Sequence, residues 1–354
     1  MKYRKVVLGF LLATVIFLPL NFFVWTFFTE HLLTSRYGSG GDLARMGYIV
    51  DSKQFRRAVV DLPRRHIEPR QYKGQPVDMI TIGDSFAHGG GEGRNNYFQD
   101  YIATTSNITV LNLSSYGNGN ETPLETAMIL LNSGLLDKIK PRYILIESLE
   151  LYCFNRFCRE INFNATENQE KLLKFYNAYE VMFNYLPKTS FINEANIKYI
   201  YYRFLYLFSD SPTSVVVTKK LSKSFFNVKN DDTLVFFRDD ARDTHKLNRQ
   251  TIKVLNDNMN KLAEILEKKN IKLCFMPVVD KYNLYSEFIL NNPYPKSIFF
   301  EELRTLPKKY QFIDTKEILL EAARSGEKDI YYADDTHWSW RAPELIFDRV
   351  RFDR

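Results

Sequence analysis

Residues 77–91 read Val-Asp-Met-Ile-Thr-Ile-Gly-Asp-Ser-Phe-Ala-His-Gly-Gly-Gly. The run Val77 to Ile82 is short, apolar and closed by Gly83, which is the length and boundary of a strand buried on both faces. In open α/β sheets ligands bind beyond the carboxyl ends of the strands, so Asp84 and Ser85 fall where chemistry is expected. A serine at the point where a strand turns into a glycine-rich loop exposes its hydroxyl to solvent and to a base. Its own N–H can also face a developing oxyanion. The plainer reading is a turn in which Asp84 and Ser85 cap the segment that follows. The tripeptide alone does not separate the two.

Working outward, the stretch Tyr97 to Ile102 reads as helix and Ile108 to Leu113 as a second strand, ending in the loop Ser114 to Asn120. Thr122-Pro123-Leu124-Glu125 is a capping box with proline at the first helical position. Tyr143 to Ile146 follows Pro141 as a third strand. Strands alternating with helices predict an α/β fold whose mainly parallel sheet is sandwiched by helices. Between about 151 and 245 that rhythm lapses into a helical, aromatic-rich insertion, with helices expected over Gln169 to Tyr185 and Ile197 to Phe208. Tyr199 to Phe208 is aromatic, but it is ten residues long and contains Arg203, too short to span a bilayer. We read it as the core of an inserted subdomain, with a surface for membrane or glycan as the alternative. The pattern then resumes. Ile252, Leu255, Met259, Leu262 and Leu266 mark one face of a long helix. Ile271 to Val279 is a fourth strand, Tyr310 to Ile313 a fifth, and helices follow near Glu317 to Arg324 and from Ser339 to about Val350.

Upstream, Val6 to Thr29 is an uncharged run of 24 residues preceded by Lys2, Arg4 and Lys5. About 20 apolar residues span a bilayer, and the basic flank places the N-terminus in the cytoplasm. A cleaved signal peptide would have a shorter apolar region and a small-residue cleavage site, which Phe27-Phe28-Thr29 does not offer. The expected organisation is an anchor over 1–33, a polar stalk over 34–75, and one domain over 76–354 outside the cytoplasm. With 45% hydrophobic and 25% charged residues, the chain has enough apolar material for a large core, which excludes disorder. The net charge of +6 is spread out, so nucleic acid is not an expected partner. Cys153 and Cys158 are close enough in sequence to bridge outside the cytoplasm, or all three cysteines are indifferent thiols. No Cys/His spacing suggests a metal site, and no cofactor fingerprint is visible.

A second constellation lies near the end of the chain, Tyr331-Tyr332-Ala333-Asp334-Asp335-Thr336-His337-Trp338-Ser339. A serine nucleophile needs an imidazole to take its proton and a carboxylate to hold the other ring nitrogen. Of the five histidines, His31 adjoins the anchor, His66 sits among arginines, His245 opens a helix and His88 is three residues from Ser85. His337 has an acid two or three residues before it, Asp335 or Asp334. It is the candidate base.

Gly83-Asp84-Ser85 early and Asp-Thr-His-Trp-Ser late resemble the SGNH (GDSL-type) serine esterase superfamily. The Tyr-Tyr pair, Asp335-Thr336-His337-Trp338-Ser339 and Met276-Pro277-Val278-Val279-Asp280-Lys281-Tyr282 with Tyr285 beyond are most similar to its alginate O-acetyltransferase branch. The resemblance covers roughly 77–150 and 245–350. It implies Ser85 as nucleophile, His337 as base and Asp335 as its acid, which would leave Asp334 facing solvent or capping the final turn; the spacing of most members of the superfamily selects Asp334 as the alternative acid. It also implies Gly117, in Ser115-Tyr116-Gly117-Asn118-Gly119, as an oxyanion donor beside the Ser85 N–H. Where many relatives place an asparagine after the third strand, this chain has Ile146-Glu147-Ser148-Leu149-Glu150, which leaves Asn118 or Ser148 as the further donor.

The activity implied is a membrane-anchored O-acyltransferase, an acetyltransferase above all, acting on a cell-surface or secreted polysaccharide. Its acyl donor would come from a multispanning membrane acyltransferase, and no cofactor or metal would be needed. The alternatives are an esterase that removes acyl groups from glycan or lipid, and a non-catalytic subunit of a polysaccharide secretion complex.

Overall fold

A computed structural model describes residues 2–33, 41–51, 54, 56, 60–91, 93–119, 121–178 and 190–353. Five parallel strands form one sheet in the order β2-β1-β3-β6-β7. They are β1 (Met79–Gly83), β2 (Val110–Ser114), β3 (Tyr143–Leu149), β6 (Lys272–Val278) and β7 (Gln311–Phe312). In register, Gly83 lies opposite Ser114, Ile82 opposite Ile146 and Leu149 opposite Val278. Every residue of β1 and β2 is buried, as expected of strands covered on both faces by crossover helices. The expected α/β class and parallel sheet are therefore observed.

The helices sit where their sequence signals put them. Thr122 caps Pro123–Asn132 with the reciprocal Glu125 contact. Ile252, Leu255, Met259, Leu262 and Leu266 are the buried stripe of Arg249–Glu267. The N-terminal helix Lys2–Val24 runs on through one π-helical turn, Trp25–Thr29, to Leu33. Its segment Tyr3–Thr29 is long and apolar enough to cross a membrane.

Two expectations change. The insertion is not purely helical: β4 (Val216–Lys220) and β5 (Thr233–Phe237) pair as an antiparallel ribbon between its helices Gln169–Ala178 and Glu194–Leu205 and the rest of the domain. Residues 179–185 of the first expected helix lie outside the described residues. The described part of the stretch read as a stalk is packed onto the domain. Ile67 bridges Leu111 at the open edge of β2, and Leu62 joins the main core. Covering that edge removes a row of unpaired backbone groups. Of the two readings of the cysteines, the structure has the second: Cys153, Cys158 and Cys274 are free thiols.

Candidate active site

Ser85 stands two residues beyond β1 and is exposed, while Phe86 and Ala87 behind it are buried. The turn under it is braced from β3. The Asp84 N–H donates to Glu147 Oε2 at 3.0 Å. The Asp84 carboxylate accepts from the Phe86 N–H (3.1 Å), the Leu149 N–H (3.0 Å) and the Arg156 guanidinium (2.5 Å). Burial pushes Asp84 up, but Arg156 and these N–H donors hold it below the usual carboxylate range. Glu147, buried beside that charge, is pushed well above it. Asp84 does cap the turn, as the plainer reading had it, and the cap is what presents Ser85. A Cβ on Gly83 would lie 2.4 Å from Glu147 Oε2, so the residue before the turn must be glycine.

The loop that carries Asp335 and His337 closes on itself through a bridge between Tyr331 and Trp338. It brings His337 Nε2 to 2.8 Å from Ser85 Oγ and His337 Nδ1 to 2.7 Å from Asp335 Oδ1. With its proton on Nδ1, donated to Asp335, the ring leaves Nε2 bare to accept from the serine. Burial pushes the His337 pKa down, but the hydrogen bond and charge of Asp335, then the charges of Asp42 and Asp84, raise it above its ordinary value. The Asp335 carboxyl is held far below the carboxylate range, against burial, by His337 and Arg56. Gly90 gives the ring its room: a Cβ there would lie 2.3 Å from His337 Cδ2. Ser85 is thus joined to His337 and Asp335 in one hydrogen-bonded chain. No protein-family model matches this chain, and no curated protein matches it.

Asp334 does not face solvent. It is fully buried, and its carboxylate takes Arg56 at 2.7 Å, the Gly41 N–H at 3.0 Å and the Gln54 N–H at 3.2 Å. Asp335 Oδ2 takes the Asp42 N–H at 3.3 Å and Arg56 at 3.2 Å. The Asp42 carboxylate accepts from the Thr336 N–H at 2.7 Å and from the Thr336 hydroxyl, and lies 3.9 Å from His337 Nδ1. Burial and the charge of Asp335 raise the Asp42 pKa to about 6. Lys281 grips the loop from the other side, donating to the carbonyls of Tyr332 (2.7 Å), Ala333 (3.1 Å) and Asp335 (3.0 Å). Sequence reasoning missed Gly41, Asp42, Gln54 and Arg56, because a glycine- and arginine-rich stretch has the composition of a solvated linker. Lys281 was visible only as part of a resemblance.

Asp42, Asp335 and His337 are also the one group of metal-type ligands that converge among the described residues. Here Nδ1 is already committed to Asp335, so the carboxylates serve the imidazole.

The oxyanion candidates divide. Among the described residues the Ser85 N–H donates to no protein group. Gly117 has φ +73° in a short 3₁₀ turn beyond β2, the strand next to β1, so both loops leave the same edge of the sheet. The Asn118 side chain lies outside the described residues. Ser148 is not a free donor, because its hydroxyl donates to the Leu149 carbonyl and accepts from Arg156. Of the other histidines, His88 is buried beneath the turn and His66 is held between Asp100 and Glu68, each at 2.7 Å. Neither they nor His245 replaces His337.

Proposed function

We propose that the protein is an SGNH-type serine O-acyltransferase, anchored in the cytoplasmic membrane with its domain outside, that acetylates a cell-surface or secreted polysaccharide. The observation that carries this reading is the unbroken chain Ser85–His337–Asp335 at the carboxyl edge of a parallel sheet. The chain supports a two-step acyl transfer. Ser85 Oγ attacks the acyl carbonyl of the donor while His337 Nε2 takes the hydroxyl proton. The oxyanion receives the Ser85 N–H, and collapse expels the donor's leaving group with the proton from His337. A sugar hydroxyl then loses its proton to His337 and attacks the acyl-serine, and Ser85 regains its proton. Asp335 remains ionised and steadies the imidazolium. The apolar N-terminal helix supports a station beside a membrane-borne acyl donor, supplied by a multispanning acyltransferase.

The test is covalent. A fluorophosphonate probe labels the wild-type chain at Ser85, and Ser85→Ala, with an unchanged melt, takes up none. Equal labelling of the two forms overturns the assignment. With an activated acetyl ester as donor, added oligosaccharide diverts the acetyl group from water to sugar. Release to water alone, whatever the acceptor, would make the protein an esterase.

A further inference from the structure

The helix Glu194–Leu205 has two unlike sides. On one, Ala195, Asn196 and Tyr199 are buried against the outer end of the N-terminal helix. Asn196 Nδ2 donates to Asn21 Oδ1 at 3.1 Å, and Asn196 Oδ1 accepts from the Thr29 hydroxyl. Tyr199 stacks on Phe28 with ring centroids 5.0 Å apart, and Phe191 meets Phe22 edge-on at 6.1 Å. The other side is bare. Ile197, Ile200, Tyr201, Phe204 and Phe208 recur at helical spacing on one face, and all are exposed, Phe204 by 59% and Phe208 by 75%. The cations of this helix are turned to acids instead, Lys198 to Glu194 at 2.8 Å and Arg203 to Asp51 at 3.2 Å. A contiguous apolar face of this kind on a soluble surface marks an interaction site.

The depth of the helix says what covers it. Tyr3–Thr29 has 27 residues, roughly 40 Å of helix at 1.5 Å per residue. The hydrocarbon of a bilayer is about 30 Å thick, so the outermost turns of the segment lie at the headgroup boundary. Asn21 and Thr29 bracket those turns, and both are tied to Asn196. The start of Glu194–Leu205 is thereby held at the level of the lipid boundary, where the exposed Phe191 just before it meets the exposed Phe22 of the N-terminal helix. At twelve residues it is too short to cross. An aromatic and aliphatic face flanked on both sides by paired charges suits a helix that lies in the interface.

We propose that Glu194–Leu205, with Leu207 and Phe208 beyond it, is a second membrane contact, seated in the outer headgroup boundary of the bilayer that the N-terminal helix crosses. This rests on reading Tyr3–Thr29 as a membrane span. A single helix leaves the attached domain free to tilt, and a second contact removes that freedom.

The test uses the full chain in lipid vesicles, with the native cysteines replaced by alanine and one cysteine introduced for an environment-sensitive dye. Phe204→Cys and Phe208→Cys report on the proposed contact. Phe10→Cys reports on the span, and Lys253→Cys, on an exposed helix of the domain, reports on water. A cooperative melt of each form shows that it is folded. Expected is several-fold stronger quenching of the dyes at 204 and 208 than at 253 by lipids carrying a shallow quencher, with the dye at 10 answering to a deep one. If 10 is quenched and 204 and 208 behave like 253, the lipid seating is wrong and the face belongs to a protein partner. If no position is quenched, the span itself fails and the seating falls with it.

Discussion

Two loops meet at Ser85 and are held in opposite ways. The Ser85 turn is braced locally: β1 feeds it, and Glu147, Leu149 and Arg156 from the adjoining β3 and its following helix fix Asp84. The His337 loop sits between distant parts of the chain. Lys281 holds its carbonyls, while Gly41, Asp42, Gln54 and Arg56, nearly 300 residues upstream, hold its two carboxylates. The difference teaches that Ser85 comes with the sheet, whereas His337 is only as well placed as the segment that follows the N-terminal helix.

The contrast is tested first at the acid itself. Asp335→Asn exchanges an acceptor for a group that also donates, which favours the wrong tautomer of His337. The rate of acyl-enzyme formation should fall on the order of 10⁴-fold, measured by stopped-flow burst. A loss below tenfold would hand the role to Asp334. Next comes the upstream clamp. Arg56→Gln leaves Asp334 buried without its cation, and breaking a buried pair in this way costs about 3–5 kcal/mol. It should appear as a lower Tm together with slower labelling of Ser85, whereas an unchanged melt would show that the clamp is incidental.

The smallest effect is expected from Asp42→Asn. His337 works as a base only when neutral, so activity rises with pH through its pKa, which lies above the ordinary imidazole value. Asparagine removes one of the charges that raise it, and the acid limb of kcat/KM should move to lower pH. Asp42 itself gains a proton near pH 6, so the two proteins should differ above about that pH and converge below it. A limb that does not move would make Asp42 a purely structural partner of Thr336.

What the sequence made legible follows from this division. β1, Ser85 and His337 were readable because a buried parallel strand is a continuous apolar run and because the triad chemistry needs few residue types. The third strand was read only to Ile146, yet it continues to Leu149. Glu147 and Ser148 look polar in sequence, but their partners, Asp84 and Arg156, let them be buried. Arg56 is the same case: composition cannot tell a hydrated guanidinium from one that neutralises an enclosed carboxylate. The ribbon of β4 and β5 escaped notice because twelve residues, 221–232, separate its strands, and no short turn announces it. Asp334 was misplaced outward by the alternation of an extended loop, when both neighbours in fact find partners inside.

Leu33 ends the N-terminal helix, and Gly41 already donates its N–H to Asp334. Eight peptide steps can reach no farther than about 28 Å, at roughly 3.5 Å each. The loop that carries His337 is therefore leashed: were the helix to cross a bilayer, as proposed, the loop would sweep a thin layer over it and nothing beyond. If the proposed acyl transfer holds, the relevant substrate concentration for a protein so tethered is a surface density. The proposed glycan would have to be drawn through that layer, and lengthening the leash would dilute the encounter without touching the chemistry.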